Sequence, residues 1–441
     1  MPRSTAPSPS RFRLTCSARW ISSIGDGLVF VAFPLLALRL TRSPVLIAGV
    51  AFASRLPWVL VALPAGALAD RVSRRGLLVA VETIRMCVIF AMAAAIATHQ
   101  LDLAMLYAAA FLVSAMETLF DSATMAVVPQ LVPEAQLVHA NSRLQVAQLS
   151  GEQFIGPALG GILFAMAASL PVLADGFSFA VSAALLAVAL RPAWHRGRHR
   201  RSRRDDFALV EPSQRTAGTS LAREVREGLA WLVRDGRLRL VCALIAGFAF
   251  AQGLGLAVLV IYCTRALHLS GSGFGVFIAI AAIGDVAGAW AAPRVTTRLG
   301  TGRTLRLSGM IGAAAFLCLG VTSSVVVAVI ALGVESFAFG VGLVASIALR
   351  QQLMPLELAG RISSAMRSII FGSAAVATLV GGALVALVGP HAPFAFGGAL
   401  QMIAAIVIGG ALIRRLAADE RQVVDLRERI DLTESPAAAE A

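Results

Sequence analysis

Apolar runs of membrane-spanning length follow one another from residue 18 to residue 414, and no soluble core can hold them. Soluble cores stop growing and split into domains well before that much apolar sequence is reached. A hydrocarbon bilayer takes roughly 20 apolar residues per helix, and the runs divide into about twelve such lengths. Composition agrees: 58% of the 441 residues are hydrophobic, only 14% are charged, and mean hydropathy is +0.79. The expected spans are 18–40, 44–69, 76–98, 102–127, 141–167, 172–190, 238–264, 273–294, 304–322, 325–349, 362–388 and 393–414. The connections at 99–101, 168–171 and 322–324 are short, so the flanking helices are antiparallel neighbours. Residues 1–13 carry Arg3, Arg11 and Arg13 like the start of a signal peptide, but the apolar stretch that follows is too long for one. It reads as an uncleaved first span.

All 38 basic residues are Arg, and there is no Lys. That excludes a P-loop ATPase and any chemistry built on a lysine Schiff base. The arginines also orient the chain. With the N-terminus inside, 33 of the 38 fall in cytoplasmic segments. Arg39, Arg42 and Arg265 lie outside, and Arg55 and Arg85 lie within spans. This asymmetry predicts two cytoplasmic termini in a cell inner (plasma) membrane and accounts for the pI near 11.2 without nucleic acid. Cys16, Cys87, Cys242, Cys263 and Cys318 form no paired or His-linked cluster, so they read as small apolar residues, with no metal site and no disulfide framework.

The chain divides in the middle. Residues 1–190 form a first six-helix half and 238–415 a second. Between them, 191–237 is a cytoplasmic loop with a basic run, His195 to Arg204, suited to anionic head groups. It ends in an amphipathic helix over 221–234, where Leu221, Val225, Leu229 and Leu232 share a face. Residues 416–441 are a cytoplasmic tail, read as a short helix that frays. The halves echo each other. Leu131-Val-Pro-Glu-Ala-Gln-Leu leads into span five and Leu353-Met-Pro-Leu-Glu-Leu-Ala into span eleven. Gly160-Gly161 recurs as Gly381-Gly382, 221 positions on. Duplicated halves imply a transporter with a central site between them.

Ionisable groups at membrane depth are costly unless paired or wet, so those in spans are functional candidates. Asp26, Glu117, Glu152, Asp285 and Glu335 fall inside predicted spans. A carboxyl group in such a setting can load and release protons near neutral pH or pair with a cationic substrate. Asp26, flanked by Gly25 and Gly27, ranks first and Glu152 second. Arg55 and Arg85 are their possible partners, while Glu82 and Arg85 (i, i+3) suit each other. Phe30, Phe33, Trp58, Phe154 and Phe250 could line a cavity. In span five, Gly156-Pro157-Ala-Leu-Gly160-Gly161 predicts a bend that small residues allow another helix to approach.

Between spans two and three the chain reads Gly66-Ala-Leu-Ala-Asp70-Arg71-Val-Ser-Arg74-Arg75. This resembles the signature loop of the major facilitator superfamily, G-x-L-x-D-R-x-x-R-R/K. The matching loop of the second half, Pro293 to Arg303, lacks the Asp. The resemblance implies an all-α membrane fold of twelve helices in two pseudo-symmetric halves. It also implies a latch on the cytoplasmic side, in which Asp70 contacts the start of span eleven and Arg74 bridges to Asp121. Gly156-Pro157 with Gly160-Gly161 resembles the antiporter motif of exporters in that superfamily, although Gly151 replaces the glycine that would fall at Glu152. Gly25-Asp26-Gly27, Thr41-Arg42-Ser43-Pro44, Pro129 to Pro133 with Asn141, and Glu227-Gly228 look like the macrolide-efflux and enterobactin-exporter branch. Residues 103–127 hold no Arg, so the proton-relay arginine of many such exporters is missing.

The expected function is export of an amphipathic small molecule (drug, macrolide or siderophore) by proton antiport. The chain would act as a monomer in the bilayer, powered by the proton gradient and needing no cofactor. Uptake of a nutrient by proton symport is the alternative. A non-transporting membrane sensor or an enzyme has less support, because the six His residues form no catalytic constellation.

Overall fold

A computed structural model of the chain describes residues 9–61, 72–133, 136–190, 230–354 and 359–434. All regular structure among them is helical. The first half contains α1 (Pro9–Leu40), α2 (Pro44–Leu60), α3 (Arg74–Ala97), α4 (Leu103–Leu131), α5 over 137–166 and α6 (Leu170–Ala189). The second contains α7 (Gly236–Leu256), continued by irregular turns to Ala266, then α8 (Gly271–Leu299), α9 (Thr301–Leu319), α10 (Val325–Leu353), α11 (Ala359–Leu387) and α12 (Ala392–Glu434). Nine of the described helices are long and apolar enough to cross a membrane. Each expected span has its helix. Several run past the expected bounds, most of all α12, which extends through the tail to Glu434. Of the expected amphipathic helix at 221–234, only the last turn, 230–234, lies within the described residues.

Local chemistry sets several starts. The Asp102 carboxylate accepts from the Met105 N–H at 2.7 Å and opens α4. Asp235 accepts from the N–H groups of Arg237 and Leu238 and opens α7. Both occupy the N-cap position, where free backbone donors need an oxygen.

The largest helix contacts of one half have counterparts in the other. Helix α1 packs on α5 and α6, as α7 packs on α11 and α12. Helix α3 packs on α4 and α6, as α9 packs on α10 and α12; α2 packs on α4, as α8 packs on α10. The halves meet along two related seams, α2 against α11 and α5 against α8.

The cores show which end is shut. One apolar cluster takes residues from all twelve helices at the end away from the termini, among them Phe33, Ile47, Phe164, Phe277, Val385 and Phe394. At the end bearing the termini, each half keeps its own core. Leu78, Phe120 and Leu186 lie in the first, and Leu238, Leu349 and Met366 in the second. The halves are therefore sealed together at one end and separately packed at the other.

Candidate functional site

Directly beneath the sealing core of the first half lies a layer of charge. Arg85 on α3 is fully buried. Its guanidinium donates to Asp26 on α1 and to the Ser22 hydroxyl at 3.3 Å, and lies 3.9 Å from Glu82 one turn earlier. It also stands 4.1 Å over the Phe179 ring, so a cation–π contact closes its remaining face. Glu82 accepts from Ser182 at 2.9 Å, and Asp175 from Ser178 at 3.3 Å. Toward the termini, Arg19 pairs with Asp121 at 2.8 Å and covers the Phe120 ring. Arg19 is in electrostatic range of Asp121, Glu117, Asp26 and Glu152, and Arg85 of Asp26, Glu82, Glu117 and Asp175. Six carboxyl groups thus share two guanidiniums across α1, α3, α4, α5 and α6. One oxygen each of Asp26, Glu82 and Asp175 is buried without a hydrogen-bond partner among the described residues.

Backbone shape brings these helices close. Just before Pro157, α5 widens into a π-helical turn, Ser150–Ile155, in which the Gly156 N–H donates to the Gly151 carbonyl five residues back. Pro157 has no N–H to continue the α-helical ladder, and a widened turn there re-pairs the strand of donors and acceptors around it. At the expected bend the chain takes this π-helical turn. Gly156 and Gly160 abut the α1 backbone, and Gly161 abuts α8: a Cβ at Gly160 would lie 2.9 Å from the Leu28 carbonyl oxygen, and one at Gly161 2.7 Å from that of Gly271. In the second half Gly381 meets Leu254 of α7, and Gly382 meets Pro44, Val45 and Ala48 of α2. The repeated glycine pair therefore does one job twice. Its first member holds a helix within the half, and its second holds the seam between halves.

Other expected residues fall elsewhere. Asp285 on α8 and Glu335 on α10 lie in the second half and face no arginine partner among the described residues. The Gln252 amide of α7 donates to Glu335, and one Asp285 oxygen is buried without a hydrogen-bond partner. Glu152 accepts from Gln148 at 3.2 Å. Gly66, Asp70 and Arg71 of the signature loop lie outside the described residues, as does the side chain of Arg74. The neighbouring Arg75 donates to the Ala187 carbonyl at 3.0 Å. Among the described residues the arginine on Asp121 is Arg19, at the edge of the first apolar run. Phe33 belongs to the sealing core, whereas Trp58 stacks on Phe371 across the α2–α11 seam with ring centroids 5.4 Å apart.

Arg19, Glu82 and Asp175 are the members of the charged layer that the sequence reading did not place there. Asp175 carried a signal, as the one acid in the α6 run Leu170–Ala189. Glu82 and Arg85 were legible as a pair, but the third helix that completes their site was not.

The Major Facilitator Superfamily model matches residues 15–377. An uncharacterized MFS-type transporter, YfiS, from Bacillus subtilis (strain 168) is 25% identical over 419 residues, 92% of this chain and 93% of that protein. Among solved structures, a bacterial homologue of the iron transporter ferroportin in its inward-facing state aligns with a TM-score of 0.68 at 16% identity, covering 92% of this chain and 98% of that one. The nucleoside transporter NupG aligns with a TM-score of 0.66 at 11% identity, covering 92% and 99%. Two neighbours named for such different cargoes share the fold, so the fold does not name the cargo here. The paired six-helix halves, the twofold-related seams and the family match together make this chain a membrane transporter that belongs to the Major Facilitator Superfamily.

Proposed function

We propose that this transporter exports an amphipathic small molecule, of the drug, macrolide or siderophore class, in exchange for protons. The observation that carries the reading is the Asp26–Arg85 pair set in a layer of six carboxyl groups and two guanidiniums. Buried carboxylates in such excess over cations need protons or a cationic cargo to balance them. A proton arriving on Asp26 weakens its hold on Arg85, whose guanidinium can then lean on Glu82, 3.9 Å away. The α1 helix that carries Asp26 also rests on the glycines of α5, which in turn meets α8 of the other half. Protonation is thereby linked to the seam about which the halves rock.

With both termini in the cytoplasm, as the arginine asymmetry favours, the sealed end faces outward and the cargo enters from inside. The chain then works as a monomer in the plasma membrane, with the proton gradient as its energy source and no cofactor. The glycine–proline bend and the resemblance to the macrolide-efflux and enterobactin-exporter branch favour export over uptake.

The test is accumulation of macrolides, cationic dyes and siderophores in a pump-deficient bacterial host, with and without a protonophore. Wild type should lower accumulation of at least one compound. Both the protonophore and Asp26→Asn should remove that effect. Raised accumulation of any compound would instead establish uptake.

A further inference from the structure

Both arginines of the charged layer are matched by carboxylates, and a third arginine outside it is not. Arg55 on α2 lies two residues below Ala53, the last α2 residue in the sealing core, and so at the floor of the space between the halves. Among the described residues it has no ion pair, no hydrogen bond and no charged group in electrostatic range. Its side chain is half-buried.

Its neighbours fix the direction. Ala48, one of the residues that meets Gly382 of α11, and Trp58, which stacks on Phe371 of α11, lie seven residues before and three after Arg55 on one helical stripe. The stripe faces the other half. An unpartnered guanidinium at membrane depth is expensive, and such groups mark pathways for substrates or ions. Arg85 and Arg19 each have a carboxylate and an aromatic ring. Arg55 has an indole one turn away and no anion.

We propose that Arg55 and Trp58 form a subsite for the anionic end of the cargo, a carboxylate, sulfonate or phosphate carried on a planar apolar body. The guanidinium offers the anion two parallel N–H donors, and the indole offers the body a stacking face beside the Phe371 ring. This deepens the export reading and rests on it for direction. It selects amphipathic anions from the range of cargoes considered above. Below the sealing core of the second half stand Glu335 and Asp285 instead, so the proposed subsite binds cargo asymmetrically, anion toward α2.

Two dyes that share one ring system and differ in charge test this directly. Fluorescein carries an aromatic carboxylate, and rhodamine 6G carries a cation on the same xanthene. Their binding to the purified full-length transporter in nanodiscs would be measured at equilibrium by anisotropy, without a gradient. Wild type should bind fluorescein saturably and more tightly than rhodamine 6G. Arg55→Gln should weaken fluorescein roughly tenfold or more, as expected for losing a charge-assisted pair. Arg55→Lys should recover part of that loss, which also shows that the site tolerates substitution. Equal fluorescein affinity in wild type and Arg55→Gln, or no preference over rhodamine 6G, would overturn the subsite. Export is read separately, as gradient-driven movement of fluorescein in proteoliposomes. Binding without movement would sink the export reading and leave the subsite standing, and movement unaffected by Arg55→Gln would do the reverse.

Discussion

The two halves of this transporter share a scaffold and differ in chemistry. Gly160-Gly161 and Gly381-Gly382 make the same two helix contacts at twofold-related places. Below the common sealing core, however, the first half holds six carboxyl groups around Arg19 and Arg85, while the second holds Glu335 against Gln252 and Asp285 with an orphaned oxygen. Packing between helices is duplicated at both seams, whereas the dense charge sits in the first half. On the export proposal one charged layer would tie proton binding to rocking of the halves, so symmetry would belong to the hinge and asymmetry to the coupling.

Removing the cation from the charged layer should have the largest effect. Arg85→Leu leaves Glu82 without its counter-charge and Asp26 with only the more distant Arg19, a loss of about 3–5 kcal/mol for breaking a buried pair. Thermal unfolding of the purified protein should show it, and adding Asp26→Asn should return part of the stability. If the double variant is no better than the single one, the two residues are not energetically linked.

Wedging the seams comes next. Gly161→Val and Gly382→Val both force a branched side chain onto a neighbouring helix, at about 1–3 kcal/mol for overpacking. The two should lower the melting temperature by similar amounts. A large effect at Gly161 with none at Gly382 would break the claim that the seams are equivalent.

Neutralising acids sharpens the contrast between halves. Asp26→Asn should abolish the response of transport to a protonophore, whereas Glu335→Gln, which can keep a hydrogen bond to Gln252, should leave that response in place. The reverse ranking would move the coupling site into the second half.

The smallest effect concerns Asp235 at the start of α7. Partial burial works to raise its pKa, but hydrogen bonds from the backbone N–H groups of Leu238 and Arg237 outweigh this and hold the carboxyl below its ordinary value. A lowered folded-state pKa adds stability at neutral pH that is lost as acidification passes the ordinary carboxylate value and then the lowered one. Asp235→Ala should cost about 1 kcal/mol as a lost N-cap. Its melting temperature should approach that of wild type as the pH falls into that window.

Much of the fold was legible because bilayer physics is severe. Every backbone donor must be satisfied inside its own helix, so a run of about twenty apolar residues is read almost directly as a span. The repeated glycine pair was legible for a related reason: only a residue without a side chain allows two helix backbones to touch, and the offset of 221 between copies marked the duplication. The single acids and arginines within spans announced themselves by their cost. Asp26 and Arg85 could be named in this way, and so could the Glu82–Arg85 spacing on one helix.

Which charges meet could not be read. Arg19 sits at the edge of an apolar run, where a count of cytoplasmic arginines takes it for a loop residue, and only the crossing of α1 with α4 sets it on Asp121. Asp175 and Ser182 reach the layer from α6, about a hundred positions from Glu82 and Arg85. Arg55 looked like one more partner for a buried acid, until the packing of α2 against α11 turned its face toward the other half and away from every carboxylate described. Sequence alone determined the spans, their pairing in halves and the residues too costly to be incidental, because each of these follows from transfer of a single segment into lipid. The tertiary structure decided which of those residues share a site and which stands alone, because that depends on rotations of whole helices about their axes, and the pattern along one helix does not encode the face its partner presents.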